Sequence, residues 1–187
     1  MKKIILASKS PRRRKYLSFL DIEYDVEPSD IEEVINPELS PEEVAEDIAY
    51  DKAFDIFQKH PNDIVLGFDT IVVLGGEILG KPQDAEDAKR MIKALSGKSH
   101  KVITGCSIIT EGQSRSFHSA TNVHVESLED EEIDAYIATK EPMDKAGAYG
   151  LQGYFSKHVA AVEGDYFTVI GLPMSKLYKN LKAMNLL

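Results

Sequence analysis

The sequence predicts an α/β fold built on a mixed β-sheet. Short apolar segments rich in β-branched residues, typical of buried strands, alternate along the chain with helical segments. Two pairs of strand segments are separated by glycine-containing turns, Gly75-Gly76 and Glu111-Gly112, which predict β-hairpins. Because strand–helix alternation is typical of parallel pairing and hairpins are antiparallel, we expect one sheet that contains both.

In the first half of the chain, prolines and serines mark where helices begin. Pro11 and Pro41 suit the first position of a helix. Ser8 or Ser10 can cap the first helix, and Ser40 can cap the second. The predicted elements are a strand at 4–7, a helix from residue 11, a strand at 21–26, a helix at 42–58, strands at 64–66 and 71–74, and a further strand after the glycine turn at 75–76.

In the second half, glycines and acidic residues set the boundaries. Gly97 stands where a glycine would end a helix, and early acids suit the dipole of the helix from 128. Three glycines in nine residues predict a loop at 145–153. The predicted elements are a helix at 84–95, strands at 101–110 and 114–126, a helix at 128–138, a strand at 157–163, a turn at 164–165 and a helix at 173–184.

Length and composition predict a soluble protein with its own core. The chain has 187 residues, 43% of them hydrophobic, which suits one domain or two closely joined lobes. The single Cys106 cannot form an intramolecular disulfide, so we expect a reducing compartment, by default the cytoplasm. No apolar run is long enough to span a bilayer, and we therefore expect no membrane association.

The charge is unevenly distributed. Residues 1–15 carry seven lysines and arginines and no acid, and because the whole chain has a formal net charge of −9, the remainder sums to −16. An acidic surface repels a nucleic-acid backbone, whereas a compact basic cluster can bind a small polyanion. A solvated basic helix face is the alternative explanation of the same cluster, and charge alone does not decide between them.

The first candidate site is the basic segment that ends the first strand, Ser8-Lys9-Ser10-Pro11-Arg12-Arg13. Arginine side chains grip phosphate oxygens with two donors at once, and the free N–H groups at a helix start attract anions. Arginine at a helix start opposes the helix dipole unless an anion is nearby. We therefore favour phosphate binding by Ser8, Arg12 and Arg13 over a solvated face.

The second candidate is Asp69, in the segment Gly67-Phe68-Asp69-Thr70 between two apolar runs. We expect the segment to break the strand. A carboxylate in a largely buried sheet must be paired, metal-bound or catalytic, because burying it alone is costly. Asp69 is the best single candidate for a general acid or base, and the alternative is a turn aspartate that bonds its own backbone.

Two loops supply the remaining candidates. Lys81, between Gly80 and Pro82, could neutralise a phosphate, although a solvated loop lysine fits the spacing equally well. In the loop at 145–153, glycines allow close approach of a ligand, and Gln152 offers a donor and an acceptor suited to a base edge. Each loop alone is weak evidence for a site.

The sequence favours a hard divalent cation over zinc. The five histidines are scattered, without paired cysteines or closely spaced histidine pairs. Mg²⁺ or Mn²⁺ would instead bind carboxylate and phosphate oxygens, with Asp69, Glu32 and Glu33 as candidate ligands. For at least one of the two glutamates we favour a solvated acidic surface.

These candidate segments, with others, resemble the motifs of the Maf family in order and spacing across essentially the whole chain. Two departures are Phe68, where the family has a small residue, and Arg14, which extends the arginine pair. The matching segments are Leu6 to Arg13, Gly67 to Thr70, Gly80 to Pro82, Leu95 to Gly105, Glu141 to Gly150 and Gly171 to Pro173.

The resemblance implies a Maf/Ham1-like (ITPase-like) fold, with an elongated mixed sheet flanked by helices. Residues 1–187 would form a single Maf domain of two lobes that share the sheet around a nucleotide-binding cleft. The implied activity is metal-dependent hydrolysis of dTTP or UTP to the monophosphate and pyrophosphate, and as a house-cleaning enzyme the protein could also act on modified pyrimidine nucleotides. Asp69 would be the proton acceptor, with Arg12, Thr70 and Gln152 determining substrate choice.

Other activities remain open within the resemblance. A sister branch acts on 7-methyl-GTP, but it typically has glutamine where this chain has Thr70, and a different glycine loop. Another non-standard nucleotide as substrate, or a regulatory nucleotide-binding role in septum formation without turnover, are further alternatives. The resemblance leaves the oligomeric state, monomer or homodimer, undecided.

Overall fold

The computed structural model describes residues 2–187 and contains seven strands and six α-helices in that range. None of these helices is both long and apolar enough to cross a membrane. The strands are β1 Ile4–Ala7, β2 Tyr24–Val26, β3 Ile64–Leu74, β4 Glu77–Leu79, β5 Ser99–Thr110, β6 Gln113–Val125 and β7 Val159–Glu163. The helices are α1 Pro11–Leu17, α2 Pro41–Lys59, α3 Ala85–Leu95, α4 Asp130–Ala138, α5 Tyr166–Ile170 and α6 Met174–Ala183, with short 3₁₀ turns at Ser18–Leu20, Glu141–Asp144, Ala146–Ala148 and Tyr154–His158.

The strands form one sheet in the order β2-β1-β3-β5-β6-β7, with β4 paired to β3. β1 runs parallel to both β2 and β3, with Ile4 opposite Ile64 and Ala7 opposite Gly67. β4 is antiparallel to β3, and β7 is antiparallel to β6. The predicted α/β class with a mixed sheet is therefore confirmed.

The helix starts follow the predicted caps. The Ser10 hydroxyl accepts a hydrogen bond from the Arg13 backbone N–H at 3.4 Å, and Pro11 is the first helical residue. At α2, the Ser40 hydroxyl accepts from the Glu43 N–H at 3.3 Å, while the Glu43 carboxylate accepts from the Ser40 N–H at 2.9 Å. This reciprocal pair satisfies backbone donors that the helix itself leaves without partners.

The strand break expected at 67–70 is wrong, because β3 runs without interruption from Ile64 to Leu74. The alternative, a turn aspartate that bonds its own backbone, is wrong for the same reason, since Asp69 lies inside the strand. Gly67 instead gives room to a helix. A Cβ atom at Gly67 would lie 2.2 Å from the carbonyl oxygen of Ala49 in α2.

α2 lies directly against the sheet at two glycines. Besides Gly67 in β3, Gly105 in the neighbouring β5 faces the helix, and a Cβ atom there would lie 2.0 Å from the carbonyl oxygen of Ala45. The buried residues of α2 are small at this contact, since Ala45, Ala49 and Ala53 are all fully buried. Small residues on both sides allow the helix backbone to approach the strands more closely than larger side chains would permit.

The chain divides into two compact units. The first comprises residues up to Thr70 with Thr104–Ser119 and Ile170–Leu187, and the second comprises Ile71–Ile103 with Ala120–Val169. A core of the first unit packs Ile5, Ala7, Val65 and Ile109 against α2. The core of the second unit contains the aromatic side chains of Tyr136, Tyr149 and Phe155.

A buried histidine lies in the core of the second unit. His100 Nε2 lies 2.6 Å from the Tyr149 hydroxyl, and only 4% of the residue is exposed. Burial lowers the pKa of His100 to about 4, with a smaller contribution from the nearby His124. The imidazole is therefore neutral near pH 7 and belongs to the core.

We expect Gly105→Ala to destabilise the protein by about 2 kcal/mol or more, because the added Cβ would displace the α2 backbone rather than a flexible side chain. The measurement is urea or thermal unfolding. Gly80→Ala is the control: its Cβ would meet no atom within 4 Å, so we expect a change of less than about 1 kcal/mol. Equal unfolding midpoints for the two variants would contradict the close packing of α2.

Candidate active site

Asp69 lies in the middle of β3 with 6% of the residue exposed, and its carboxylate is paired. Its Oδ1 accepts a hydrogen bond from Lys52 Nζ at 2.6 Å. The same ammonium lies 2.8 Å from Glu33 Oε1. Lys52, on α2, has only 14% of its side chain exposed. One lysine therefore joins two carboxylates, and the buried charge of Asp69 has the partner that its burial requires.

Lys52 is the site residue that the sequence analysis missed. The sequence does indicate that Lys52 is buried, through its position in the helical repeat of α2. Lys52 lies four residues after Ile48 and four before Ile56, both of which are buried. It therefore falls in the buried stripe of α2, where a charged residue needs a buried partner.

The two adjacent glutamates differ in their surroundings. Both belong to the segment between β2 and α2, which has no regular secondary structure apart from a turn at 37–39. Both are exposed, but Glu33 reaches Lys52, whereas the Glu32 side chain makes no hydrogen bond or ion pair within residues 2–187. Of the pair, Glu33 alone is brought to Asp69.

The donor set at Asp69 and Glu33 fits a hard divalent cation. Two carboxylate oxygens converge on one positive charge, the Lys52 ammonium, which stands where a cation would be bound. Mg²⁺ typically takes one or two carboxylates and completes its coordination with water and phosphate oxygens. Within the described residues, no group of three or more His, Cys, Asp or Glu side chains is arranged to hold a metal ion.

Thr70, although next to Asp69 in sequence, belongs to a different set of contacts. Successive side chains of a strand point to opposite faces of the sheet, so Asp69 faces α2 and Thr70 faces away from it. The Thr70 hydroxyl accepts a hydrogen bond from Arg13 Nη2 at 2.9 Å and lies 2.9 Å from the Thr104 hydroxyl. Thr70 therefore lies on the Arg13 side of β3, and Asp69 lies on the side of α2.

Arg13 connects three separate segments of the chain. Besides Thr70, it donates from Nε to the Gly171 carbonyl at 2.8 Å and from Nη1 to the Ser8 hydroxyl at 3.1 Å. Its guanidinium carbon lies 5.7 Å from the centre of the Phe68 ring. Burial lowers the pKa of Arg13, and the negative charge of Asp69 opposes this shift. Because the guanidinium pKa starts far above neutrality, Arg13 remains charged.

The two arginines expected to bind phosphate therefore differ. Three N–H donors of Arg13 are already bonded to the protein. The Arg12 side chain is partly buried and makes no hydrogen bond or ion pair with any of residues 2–187. The Arg12 guanidinium keeps its donors available, whereas Arg13 connects the hydroxyls of Ser8 and Thr70 with the Gly171 carbonyl.

In the second unit, the loop with Gln152 is held by local hydrogen bonds. Gln152 is exposed, and its Nε2 donates to the Tyr166 hydroxyl at 3.2 Å. Two residues further on, the Tyr154 backbone N–H donates to Glu141 Oε2 at 2.9 Å. A Cβ atom at Gly153 would lie 2.2 Å from that carboxylate oxygen, so the glycine allows the loop to approach Glu141.

The two loop candidates of the second unit are connected. The Gly147 backbone N–H donates to the Gly80 carbonyl at 3.0 Å. Gly147 has a φ of +65°, a left-handed conformation that favours glycine, and Val72 lies directly against it. Lys81, next to Gly80, is exposed and makes no hydrogen bond or ion pair within the described part of the chain.

The comparison with protein families gives one match over nearly the whole chain. A family model described as Maf-like protein matches residues 3–184. The matched range includes every candidate residue described above.

Curated relatives match over nearly their full length. The chain is 55% identical over 181 residues to a protein of Alkaliphilus oremlandii (strain OhILAs) named dTTP/UTP pyrophosphatase, a match that covers 95% of this chain and 93% of the relative. It is 45% identical over 182 residues to a protein of the same name from Bacillus mycoides (strain KBAB4), covering 97% of this chain and 95% of the relative.

Similarity to solved structures is more distant. The chain resembles the crystal structure of a nucleoside-triphosphatase / dITP/XTP pyrophosphatase from Mycobacterium abscessus with a TM-score of 0.49 and 15% identity, covering 98% of this chain and 96% of that one.

We expect Arg13→Lys to destabilise the protein by about 2–4 kcal/mol, because one ammonium cannot reach the three acceptors that the guanidinium bonds and leaves partly buried oxygens without donors. Arg14→Lys is the matched control, since Arg14 lies exposed on the same helix and should change stability by less than about 0.5 kcal/mol. Chemical denaturation measures both. A stable Arg13→Lys variant would show that Arg13 does not hold these segments together.

Proposed function

Because the chain belongs to the Maf family, we infer that it is a nucleoside triphosphate pyrophosphatase that hydrolyses dTTP and UTP to the monophosphate and pyrophosphate. The observation that carries this conclusion is the buried Asp69 carboxylate, paired with Lys52 and accompanied by Glu33, in a chain that is 45–55% identical to proteins of that name. Such a cluster suits water activation beside a triphosphate.

Asp69 is the proposed general base. In the nucleotide-free protein its Oδ1 accepts a hydrogen bond from Lys52. The other carboxylate oxygen can orient the attacking water and accept its proton. Attack on the α-phosphorus with pyrophosphate as the leaving group gives the monophosphate and needs no covalent intermediate with the protein.

Basic and hydroxyl side chains are the proposed phosphate ligands. Arg12 and Lys81, whose cationic groups make no ion pair within residues 2–187, would neutralise phosphate oxygens. The sequence also predicts Ser8 and Arg13 as substrate ligands. Arg13 donates a hydrogen bond to the Ser8 hydroxyl at 3.1 Å, which supports a role for Arg13 in positioning Ser8. In this proposal Arg13 holds the Ser8 hydroxyl while Arg12 contacts the anion.

A divalent cation, Mg²⁺ or Mn²⁺, is the proposed cofactor. Asp69 and Glu33 would hold it, and when bound it would neutralise charge on the phosphate oxygens. Glu32 is left out of this ligand set because, unlike Glu33, it makes no ion pair with Lys52.

Substrate choice is proposed to depend on Arg12, Thr70 and Gln152. Gln152 can present an acceptor and a donor to the N3–H and carbonyl groups of uracil or thymine. Its amide is tethered to the Tyr166 hydroxyl, which limits its movement. A hydroxyl can either donate or accept, so Tyr166 holds the amide in place in both of its orientations.

The alternatives are less well supported. The names of the curated relatives do not favour 7-methyl-GTP as substrate or a regulatory role without turnover. We propose that residues 1–187 act as a single Maf domain and that the enzyme acts in the cytoplasm. The acidic remainder of the chain, −16 outside the first fifteen residues, supports a nucleotide rather than a nucleic acid as its ligand.

We expect the purified protein to release pyrophosphate from dTTP and UTP and to lose this activity in excess chelator. Asp69→Asn, nearly isosteric but unable to act as a base, should lower kcat by about 100-fold or more while the fold survives. Separate assays for pyrophosphate and orthophosphate over a nucleotide panel give the measurement. Asp55→Asn, which changes the carboxylate that pairs with Lys59 on α2, is the control, for which we expect near-normal activity. Orthophosphate as the first product, or full activity with chelator, would refute the proposal.

We expect dTTP and UTP to be preferred over dCTP and CTP, and Gln152→Ala to narrow that preference more than it lowers the maximal rate. Mismatched polar groups in a desolvated pocket cost about 1–3 kcal/mol each, or about 5- to 150-fold in discrimination. The measurement is the ratio of kcat/KM for UTP and CTP in both proteins. Gln58→Ala, an exposed glutamine at the end of α2, is the control. An unchanged ratio in Gln152→Ala would show that Gln152 does not read the base.

A further inference from the structure

The ammonium of Lys52 lies at the point where two carboxylates converge. Its Nζ is 2.6 Å from Asp69 Oδ1 and 2.8 Å from Glu33 Oε1, and it has no other partner within residues 2–187. These carboxylates belong to Asp69 and Glu33, the two residues proposed to hold the divalent cation. The lysine and the cation therefore compete for the same position.

The charges make joint occupancy unfavourable. Two carboxylates and one ammonium have a net charge of −1, and adding a divalent cation while Lys52 stays in place would make the cluster +1. The side chain of Lys52 is only 14% exposed, so water screens this repulsion poorly. One of the two cations has to move away when the other is bound.

Lys52 is the cationic group able to move. The charge of Arg13 also acts on Asp69, but Arg13 is fixed by hydrogen bonds to Gly171, Ser8 and Thr70. Lysine is a point charge on a flexible four-carbon chain, and nothing but the two carboxylates holds its ammonium. A triphosphate bound nearby would offer the displaced ammonium new anionic partners.

We propose that Lys52 is an exchangeable counter-ion that occupies the cation position in the nucleotide-free protein, so that a divalent cation binds tightly only together with a triphosphate. This inference rests on the proposed function for the identity of the nucleotide. It makes Lys52 the residue that couples the two binding events. By thermodynamic linkage, the cation must then strengthen nucleotide binding by the same factor.

The test measures Mn²⁺ affinity directly, by the electron paramagnetic resonance signal of free Mn²⁺, without nucleotide and with α,β-methylene-UTP. Samples with the analogue alone correct for Mn²⁺ that the analogue binds in solution. In the wild type, the analogue should raise the affinity of the protein site for Mn²⁺ about tenfold or more. One nearby charge changes the affinity of a carboxylate for a proton by about 10- to 1000-fold, and we expect the displaced Lys52 charge to have an effect of at least the lower size on Mn²⁺.

Lys52→Met removes the ammonium, and Lys52→Gln keeps a donor to Asp69 if the methionine variant does not fold. Without nucleotide, each folded variant should bind Mn²⁺ about tenfold more tightly than the wild type, and the effect of the analogue should shrink by a similar factor. Lys59→Met is the matched control, because Lys59 lies on the same helix and pairs with Asp55. Its Mn²⁺ affinity should equal that of the wild type.

A lysine that only supported the carboxylates would give the opposite result, since its removal would weaken Mn²⁺ binding. Unchanged or weaker binding in Lys52→Gln, or wild-type affinity that does not depend on the analogue, would overturn the inference. The proposed function is assessed separately, by pyrophosphate release from the wild type. Tighter Mn²⁺ binding in the variants without turnover of dTTP or UTP in the wild type would leave the counter-ion role intact and refute the function.

Discussion

The close approach of α2 to the sheet is the constraint on which the Asp69 cluster depends. At Gly67 and Gly105 the helix backbone occupies space that a Cβ atom would need. On β3, Gly67 lies two residues before Asp69. On α2, Ala49, which faces Gly67, lies three residues before Lys52. If a larger residue held the helix away from the strand, the ammonium would no longer reach the carboxylate, and Asp69 would be buried without a cation.

The uninterrupted course of β3 has a second consequence. Because the strand does not turn at 67–70, Asp69 and Thr70 point to opposite faces and take part in separate hydrogen-bond networks. Asp69 is held by α2, whereas Thr70 is held by Arg13, which also binds the backbone at Gly171. One strand thus positions both the residue proposed for proton transfer and a residue proposed for substrate choice, each through a different helix.

Local signals predicted most of the fold, and contacts between distant residues explain what was missed. The caps at Ser10 and Ser40 and the glycine turn at 75–76 depend only on neighbouring residues, so the sequence was enough to place them. Gly67 was misread because a glycine that makes a turn and a glycine that admits a helix look alike in sequence. Lys52 was missed because its partners lie 17 residues away in β3 and in a segment without regular structure. Its place among the buried residues of α2 was the available signal.

Arg13 and Lys52, the two largely buried cationic residues described for the first unit, differ in a way that matches their surroundings. Arg13 has a planar group with several fixed donors, and each of three donors has its own acceptor on a different segment. Such a side chain cannot leave without breaking all three contacts at once. Lys52 has a single ammonium bonded to two carboxylates, so it can be exchanged for another cation at the same oxygens. Arginine therefore occupies the position where the architecture must stay fixed, and lysine occupies the position where charge has to be replaced when substrate is bound.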